Sequence, residues 1–239
     1  MKNAIVTGGT RGIGLAIAKM LMREGYNVTV TYAHDESSAE SCRQMLGESG
    51  CVFEIVRADN ADHMQMREFA AKMRQKGHID CLVCNAGITL RKPFEETEEE
   101  EWDKIIDVNL NSKAHLVRNL LPAIPPDSRI ILIASMMGVL PHAISIPSGV
   151  SKAGIIALAR NLVKVFAGTG TTVNAIVPGF VETEWHEGKS PEFRQRICDK
   201  IAAGRFASPD EIAEAVRFCI RSAYVNGSAI EISGGYCYR

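Results

Sequence analysis

Seven short apolar runs, separated by longer stretches of helical period, constrain this chain more than any single residue does. The runs are Asn3–Thr7, Tyr26–Tyr32, Val52–Val56, Ile79–Cys84, Arg129–Ala134, Thr171–Val177 and Ala229–Ile232. Most are continuously apolar rather than alternating, as expected of strands covered on both faces. Between them, Gly12–Glu24, Glu36–Glu48, Ala61–Gln75, Glu98–Leu121, Gly149–Ala167 and Pro209–Arg221 carry the helical period. Such alternation builds a parallel sheet with helices on both sides. The expectation is an α/β fold: one doubly wound, seven-stranded parallel sheet in a single domain over residues 1–239. A chain of 239 residues, 46% of them hydrophobic, supplies one well-buried core and is short for two.

Local signals refine this frame. Thr97 followed by Glu100 suits a capping box, and Ser208-Pro209-Asp210-Glu211 combines an N-cap, a proline at the first helical position and a glutamate at the third. The acidic cluster from Glu95 to Glu101 falls in a first helical turn, where it suits the dipole and is well solvated, so no metal is expected there. Seven cysteines make no disulfide framework at this length, and their odd number fits reduced thiols. Cys81 and Cys84 form a CxxC within a strand. Residues three apart on a strand face opposite ways, so the two sulfurs read as core thiols rather than metal ligands. A net charge of -1 with a pI near 6.6 argues against nucleic acid and anionic membrane surfaces as partners. No apolar run reaches the roughly 18–20 residues of a membrane span. The first strand begins at once, with no room for a leader ahead of it, and the expected location is cytoplasmic.

Gly8, Gly12 and Gly14 follow the first strand and open a helix. Glycines there let the backbone approach a pyrophosphate, whose charge is met by the free amides of the helix N-terminus. A mere tight turn is the alternative, but a strand–turn–helix at the head of a βαβ unit favours nucleotide binding. An NAD site usually ends its second strand with an acid for the ribose 2′-hydroxyl. Here none comes before Asp35, and Arg11 could meet a 2′-phosphate instead. Arg11 thus speaks for NADP(H) and Asp35 keeps NAD(H) open; it is the family resemblance set out below that implies a preference for NADP(H).

Further residues are out of place for pure structure. Lys152 lies on an apolar stripe with Ile155, Ile156, Ala159, Val163 and Phe166, in the first turn of its helix. Burial and the positive helix end both oppose its charge. It reads as an amine held at a site with a lowered pKa, the alternative being a side chain that snorkels to water. Asn109 shares a helix face with Trp102, Ile105, Ile106 and Lys113, and a core amide satisfied by local backbone is the competing reading. Ser135 ends the fifth strand, where an open parallel sheet binds its ligands. The segment Glu182 to Ala207, with Trp185, His186, Gly188, Pro191 and Phe193, lies between the last two strands and is placed to cover a substrate.

Taken in order, Gly8-x-x-x-Gly12-x-Gly14 (with Thr10, Arg11 and Ile13 inside it), Cys84-Asn85-Ala86-Gly87, Ser135 and Ser148-x-x-x-Lys152 resemble the short-chain dehydrogenase/reductase family. The spacing of 135, 148 and 152 matches that family's Ser, Tyr and Lys, except that Ser148 stands where the family has tyrosine. In length and motif dress the chain is most similar to the family's 3-oxoacyl-[acyl-carrier-protein] reductases. The resemblance implies a Rossmann-type fold, an NADP(H)-linked interconversion of a carbonyl and an alcohol, and a substrate that is a small molecule or an acyl thioester. It also implies a dimer or tetramer packed through the helices beginning near Glu98 and Gly149.

By the same resemblance, Asp59 and Asn60 lie at the adenine, although Asp59 could equally cap the helix beginning at Ala61. Asn85, Ala86 and Gly87 line the cofactor. Pro178, Gly179, Val181 and Thr183 hold the nicotinamide carboxamide. Asn109 holds a water behind Lys152, Lys152 holds the nicotinamide ribose, and Ser135 fixes the carbonyl oxygen. A tyrosine, near pKa 10, is within reach of an ammonium's pull, whereas a serine hydroxyl is a far weaker acid on a shorter side chain. Ser148 is thus expected to impair turnover. The second expectation is a catalytically silent nucleotide-binding protein, acting as a sensor or partner subunit.

Overall fold

A computed structural model describes residues 1–46, 52–142, 144–184 and 188–238. Its seven strands are β1 (Lys2–Val6), β2 (Tyr26–Tyr32), β3 (Phe53–Arg57), β4 (Cys81–Cys84), β5 (Arg129–Ile133), β6 (Thr172–Pro178) and β7 (Ala229–Ile232). All pair in parallel, in the order β3-β2-β1-β4-β5-β6-β7. The expected doubly wound sheet is therefore present, and each strand lies within two residues of its expected bounds. The order reverses between β1 and β4, and beyond the carboxyl ends of strands at such a switch point is where open α/β sheets bind ligands.

Successive strand residues feed opposite layers. Ala4 and Val6 of β1 join Val28, Val30, Val83 and Ile131 against Ile17 and Leu21 of α1 (Gly12–Arg23) and Ile212 and Val216 of α8 (Pro209–Arg221). Ile5 joins Leu82, Ile130, Leu132 and Val177 on the other face, under α3 (His63–Lys76), α5 (Ser112–Leu120) and α6 (Ile146–Leu162). The period of two delivers this division directly. It also separates the CxxC: Cys81 packs in the first layer and Cys84 in the second. Burial pushes those thiols up to about 12 and about 11, so they are inert core groups.

Helix boundaries show where local signals misled. The box at Ser208 and Glu211 forms as expected, with Glu211 N bonded to Ser208 Oγ at 3.3 Å. The other box falls one residue later than expected. Glu98 is the N-cap of α4 (Glu99–Ile106), and its amide donates to Glu101 Oε2 at 3.0 Å. Thr97 instead donates its hydroxyl to Pro93 O. The cap of α3 is Asp62, which accepts from the amides of Met64 and Gln65, not Asp59. The helix expected over Glu98–Leu121 is interrupted by a π-turn at Asp107–Asn111 before α5 begins. The helix expected from Gly149 begins at Ile146, with Pro147 in its first turn. The remaining helix of the second strand's crossover is α2 (Glu36–Leu46); the last two positions of the expected Glu36–Glu48 lie outside the described residues.

Candidate active site

The glycine turn, the ends of β4 and β5, and the first turns of α6 converge on one region. Gly8 and Gly12 have φ of +61° and +52°, a backbone that favours glycine. A Cβ on Gly14 would fall 2.1 Å from Gly8 O, so the turn could not fold back on α1 with any other residue there. The N-terminus of α1 has no side-chain cap and no acid in its first turn. Its free amides are thus available to an anion, which fits a pyrophosphate. Thr10 is buried in this turn, and Ile13 packs partly onto the core. Asn85 ties β4 to it, its Nδ2 donating to Thr7 O at 3.1 Å and Gly8 O at 2.9 Å. Thr7 Oγ1 accepts from the amides of Asn85 and Ala86, an anchoring role its position inside the apolar first strand did not suggest.

At the adenosine end, Arg11 and Asp35 do not act separately. Arg11 NH1 lies 2.9 Å from the Asp35 carboxylate, which also accepts from Ser37 and from the amide and hydroxyl of Ser38. The Ser38 amide, then the two hydroxyls, hold Asp35 down to about 2, with Arg11 adding its charge. Asp59 sits 2.9 Å from His34 Nε2. The Asn60 side chain turns inward and donates to Ser112 Oγ at 3.1 Å, so the amide expected near a nucleotide is committed to the interior.

Asn109 is fully buried at the π-turn. It accepts from Ile88 N at 2.8 Å and donates to Ile88 O and Ser151 Oγ, each at 2.9 Å. A π-turn re-aims a side chain out of the regular helical row, and such turns recur at functional sites. Lys152 Nζ donates to Ile133 O at 3.2 Å, and a Cβ on Gly87 would come 3.5 Å from that nitrogen and 3.0 Å from Asn109 Oδ1. Gly87 therefore leaves room between the two polar groups. Burial, then the nearby Lys113 ammonium, pulls Lys152 down to about 7, as the apolar stripe led one to expect.

Ser135 caps the short turn Met136–Gly138, its Oγ accepting from Met137 N at 3.2 Å. That turn packs directly on α6: a Cβ on Gly138 would meet the Lys152 carbonyl carbon at 2.6 Å, and one on Gly149 would meet Met137 O at 2.9 Å. Ser135 and Lys152 are thus held in one assembly. Ser148 is buried with its hydroxyl already engaged, 2.9 Å from Thr89 Oγ1 and accepting from Leu90 N at 3.1 Å. Ser151, one helical turn on, donates to Ser148 O at 2.7 Å and links back to Asn109. Thr89 and Ser151 were not singled out from the sequence, though Ser151 sits three residues from Ser148 on one helix face.

Pro178 ends β6, and Gly179 N donates to Ile232 O at 2.9 Å. Val181 is buried and bridged to Ala207, and Thr183 leans over the glycine turn, its Cγ2 3.2 Å from where a Gly12 Cβ would stand. Beyond them the expected cover contains α7 (Pro191–Cys198), anchored by a small core of Ile197, Ile201 and Phe206 with Phe180, Phe193 and Tyr236. Trp185 and His186 lie outside the described residues. A hollow lined by Ala61, Asp103, Lys104 and Asp107 opens beside α4. No helix among the described residues is long and apolar enough to cross a membrane.

A doubly wound parallel sheet with a glycine turn after β1, a serine beyond the end of β5 and a lysine on α6 is a Rossmann-type nucleotide-binding arrangement. The chain belongs to the short-chain dehydrogenase/reductase family. A family profile described as Enoyl-(Acyl carrier protein) reductase matches residues 8–237. The chain is 35% identical to the 3-oxoacyl-[acyl-carrier-protein] reductase of Escherichia coli (strain K12), over 98% of this chain and 96% of that protein. It is 32% identical to the same-named enzyme of Staphylococcus aureus (strain Mu50), over 98% and 97%. A dehydrogenase/reductase from Sinorhizobium meliloti 1021 superposes with a TM-score of 0.92 at 31% identity, over 98% of this chain and 94% of that one. BdcA in complex with NADPH superposes at 0.89 with 28% identity, over 98% and 94%.

Proposed function

We propose that the chain is an NADP(H)-linked oxidoreductase interconverting a carbonyl and an alcohol on a 3-oxoacyl thioester, with turnover lowered by Ser148. The observation that carries this reading is the placement of Lys152 and Asn109 around Gly87, beside the Ser135 turn packed on α6. The 3-oxoacyl-[acyl-carrier-protein] reductases it resembles and the NADPH complex of BdcA support it.

The nicotinamide cofactor, when bound, supplies or accepts the hydride. The glycine turn and the free amides of α1 bind its pyrophosphate. Asn85, Ala86 and Gly87 form the floor, with Lys152 on the ribose. Pro178, Gly179, Val181 and Thr183 hold the carboxamide. Ser135 accepts from Met137 N and so keeps its hydroxyl proton to donate to a carbonyl oxygen. The described part of the segment after Val181, with α7, covers the substrate. Arg11 meets the 2′-phosphate by exchanging its Asp35 partner for it, which favours NADP(H) over NAD(H). The protein works as a dimer or tetramer through α4, α5 and α6, where Val150 of α6 is exposed.

Ser148 cannot replace the phenol. Its oxygen is short of the reach of a tyrosine and is spent on Thr89 and Leu90 N. General acid catalysis is typically worth about 10²–10⁴-fold, and most of that is lost. The same engaged hydroxyl favours a second reading, a silent nucleotide binder, because a satisfied buried serine is a settled structural residue.

NADPH oxidation with an acetoacetyl thioester, compared between this chain and Ser148→Tyr, separates the two. Recovery of turnover by about two decades or more in the tyrosine variant supports the reductase. Binding of NADPH by both forms without turnover by either sinks it and leaves the silent binder.

A further inference from the structure

Lys113 is a fully buried lysine beside the half-buried Lys152, and the proposed function gives it no part. It comes from α5, has no solvent exposure, and donates from Nζ to Ala86 O. Lys152 approaches from α6, with its Nζ beside Gly87. The two amines thus reach adjoining residues, Ala86 and Gly87, of one backbone segment. Each has a carbonyl oxygen as its hydrogen-bond acceptor, and among the described residues neither has a carboxylate within ion-pairing distance. Removing Lys113 wholly and Lys152 largely from water without an acid is costly, and the cost falls when one of them releases its proton.

The surroundings leave Lys113 as the charged neighbour of Lys152. From the π-turn comes Asn109, from α6 itself Ser148 and Ser151, from the 136–138 turn Ser135, and from the segment after β4 Thr89; none of these ionises near neutral pH. The facing part of β6, Val173–Pro178, carries no titratable side chain. Cys84 lies behind Lys113 and is kept a neutral thiol by burial. On α4, Asp103 and Lys104 are exposed, while Asp107 at the π-turn accepts from Asn111. Arg160 is exposed at the far end of α6.

We propose that Lys113 is a positioning residue acting through Lys152, its buried amine making Lys152 itself the group that exchanges a proton where the phenol is missing. Burial draws Lys113 down to about 8, and burial together with Lys113 draws Lys152 to about 7. A proton donor works best near the operating pH, so a lysine in that range is matched to the task. The catalytic consequence rests on the reductase reading above. As hydride reaches the carbonyl carbon, a Lys152 N–H bond breaks and an O–H bond forms on the alkoxide. The neutral amine then takes one proton from solvent, so one proton is consumed per turnover.

The test reads the amine directly in the full chain without cofactor, from the 13Cε shift of Lys152 in protein labelled with 13C-lysine and titrated with pH. Lys113→Gln keeps a donor for Ala86 O and removes the charge; Lys113→Met removes both. The expected result is a Lys152 midpoint near 7 in the parent chain. It should rise by about one unit, tenfold in proton affinity, in both variants. A role confined to holding Ala86 O would leave the glutamine variant unshifted, and that result overturns the proposal. A parent midpoint above about 9 overturns it as well. Because this readout needs no turnover, a failure of the reductase reading registers separately, as absent NADPH oxidation.

Discussion

Asn109→Ala tests the joint between α4 and the loop after β4. The amide is fully buried and makes three hydrogen bonds of 2.8–2.9 Å, two to Ile88 and one to Ser151. Ser151 can turn its hydroxyl elsewhere, since it already donates to Ser148 O. The Ile88 N–H and C=O have no such freedom, and leaving each unpaired costs about 1–3 kcal/mol. Ile88 is only half-buried, so water recovers part of this. The sum is a loss of about 3 kcal/mol. Urea unfolding followed by circular dichroism reads it as a fall in midpoint at constant m-value. Asn111→Ala is the control: it removes one helix-face bond to Asp107 and should cost about 1 kcal/mol or less. A loss below about 1 kcal/mol for Asn109→Ala would refute the claim that this amide joins the two elements.

Two further outcomes follow from the charges. Asp35→Asn keeps an acceptor for the Ser38 amide but removes the carboxylate that holds Arg11, so the NADPH Kd in a fluorescence titration should fall about tenfold, the worth of one charge-assisted contact; weaker NADPH binding would mean that Arg11 does not serve the 2′-phosphate. Lys152 at about 7 and Lys113 at about 8 both lie below the ordinary lysine value, so over neutral to mildly alkaline pH the unfolded chain binds protons that the folded chain has released, and stability rises with pH. The raised thiols of Cys81 and Cys84 act oppositely once unfolded cysteines ionise, above about pH 8.5, which sets the window at about 7 to 8.5. Across it, paired urea melts should show the parent gaining on the order of 1 kcal/mol relative to Lys152→Met, and a relative loss would be the wrong sign.

Much of the architecture was legible because strand and helix periods are local. Continuous apolar runs such as Cys81–Cys84 announce strands covered on both sides, and the alternation of Ala4, Ile5 and Val6 between two layers follows from strand geometry alone. Glycines at positive φ or in close backbone contact show equally well, because no other residue fits. The misplaced caps had a common cause: neighbouring acids and hydroxyls compete for the same amides. Only the path of the incoming chain chooses Glu98 over Thr97, or Asp62 over Asp59.

The sequence by itself determined the doubly wound sheet, its glycine turn and the order of Ser135, Ser148 and Lys152 along it. Tertiary structure decided what those side chains touch. It tied Arg11 to Asp35, turned Asn60 inward to Ser112, and closed Thr89 and Leu90 onto Ser148. It also brought Lys113 and Lys152, 39 positions apart, to adjoining residues of one backbone segment. The reason is physical: periodicity and backbone sterics act within a few residues. Desolvation and charge act across whatever the fold brings together, and a lysine's proton affinity is set by that company.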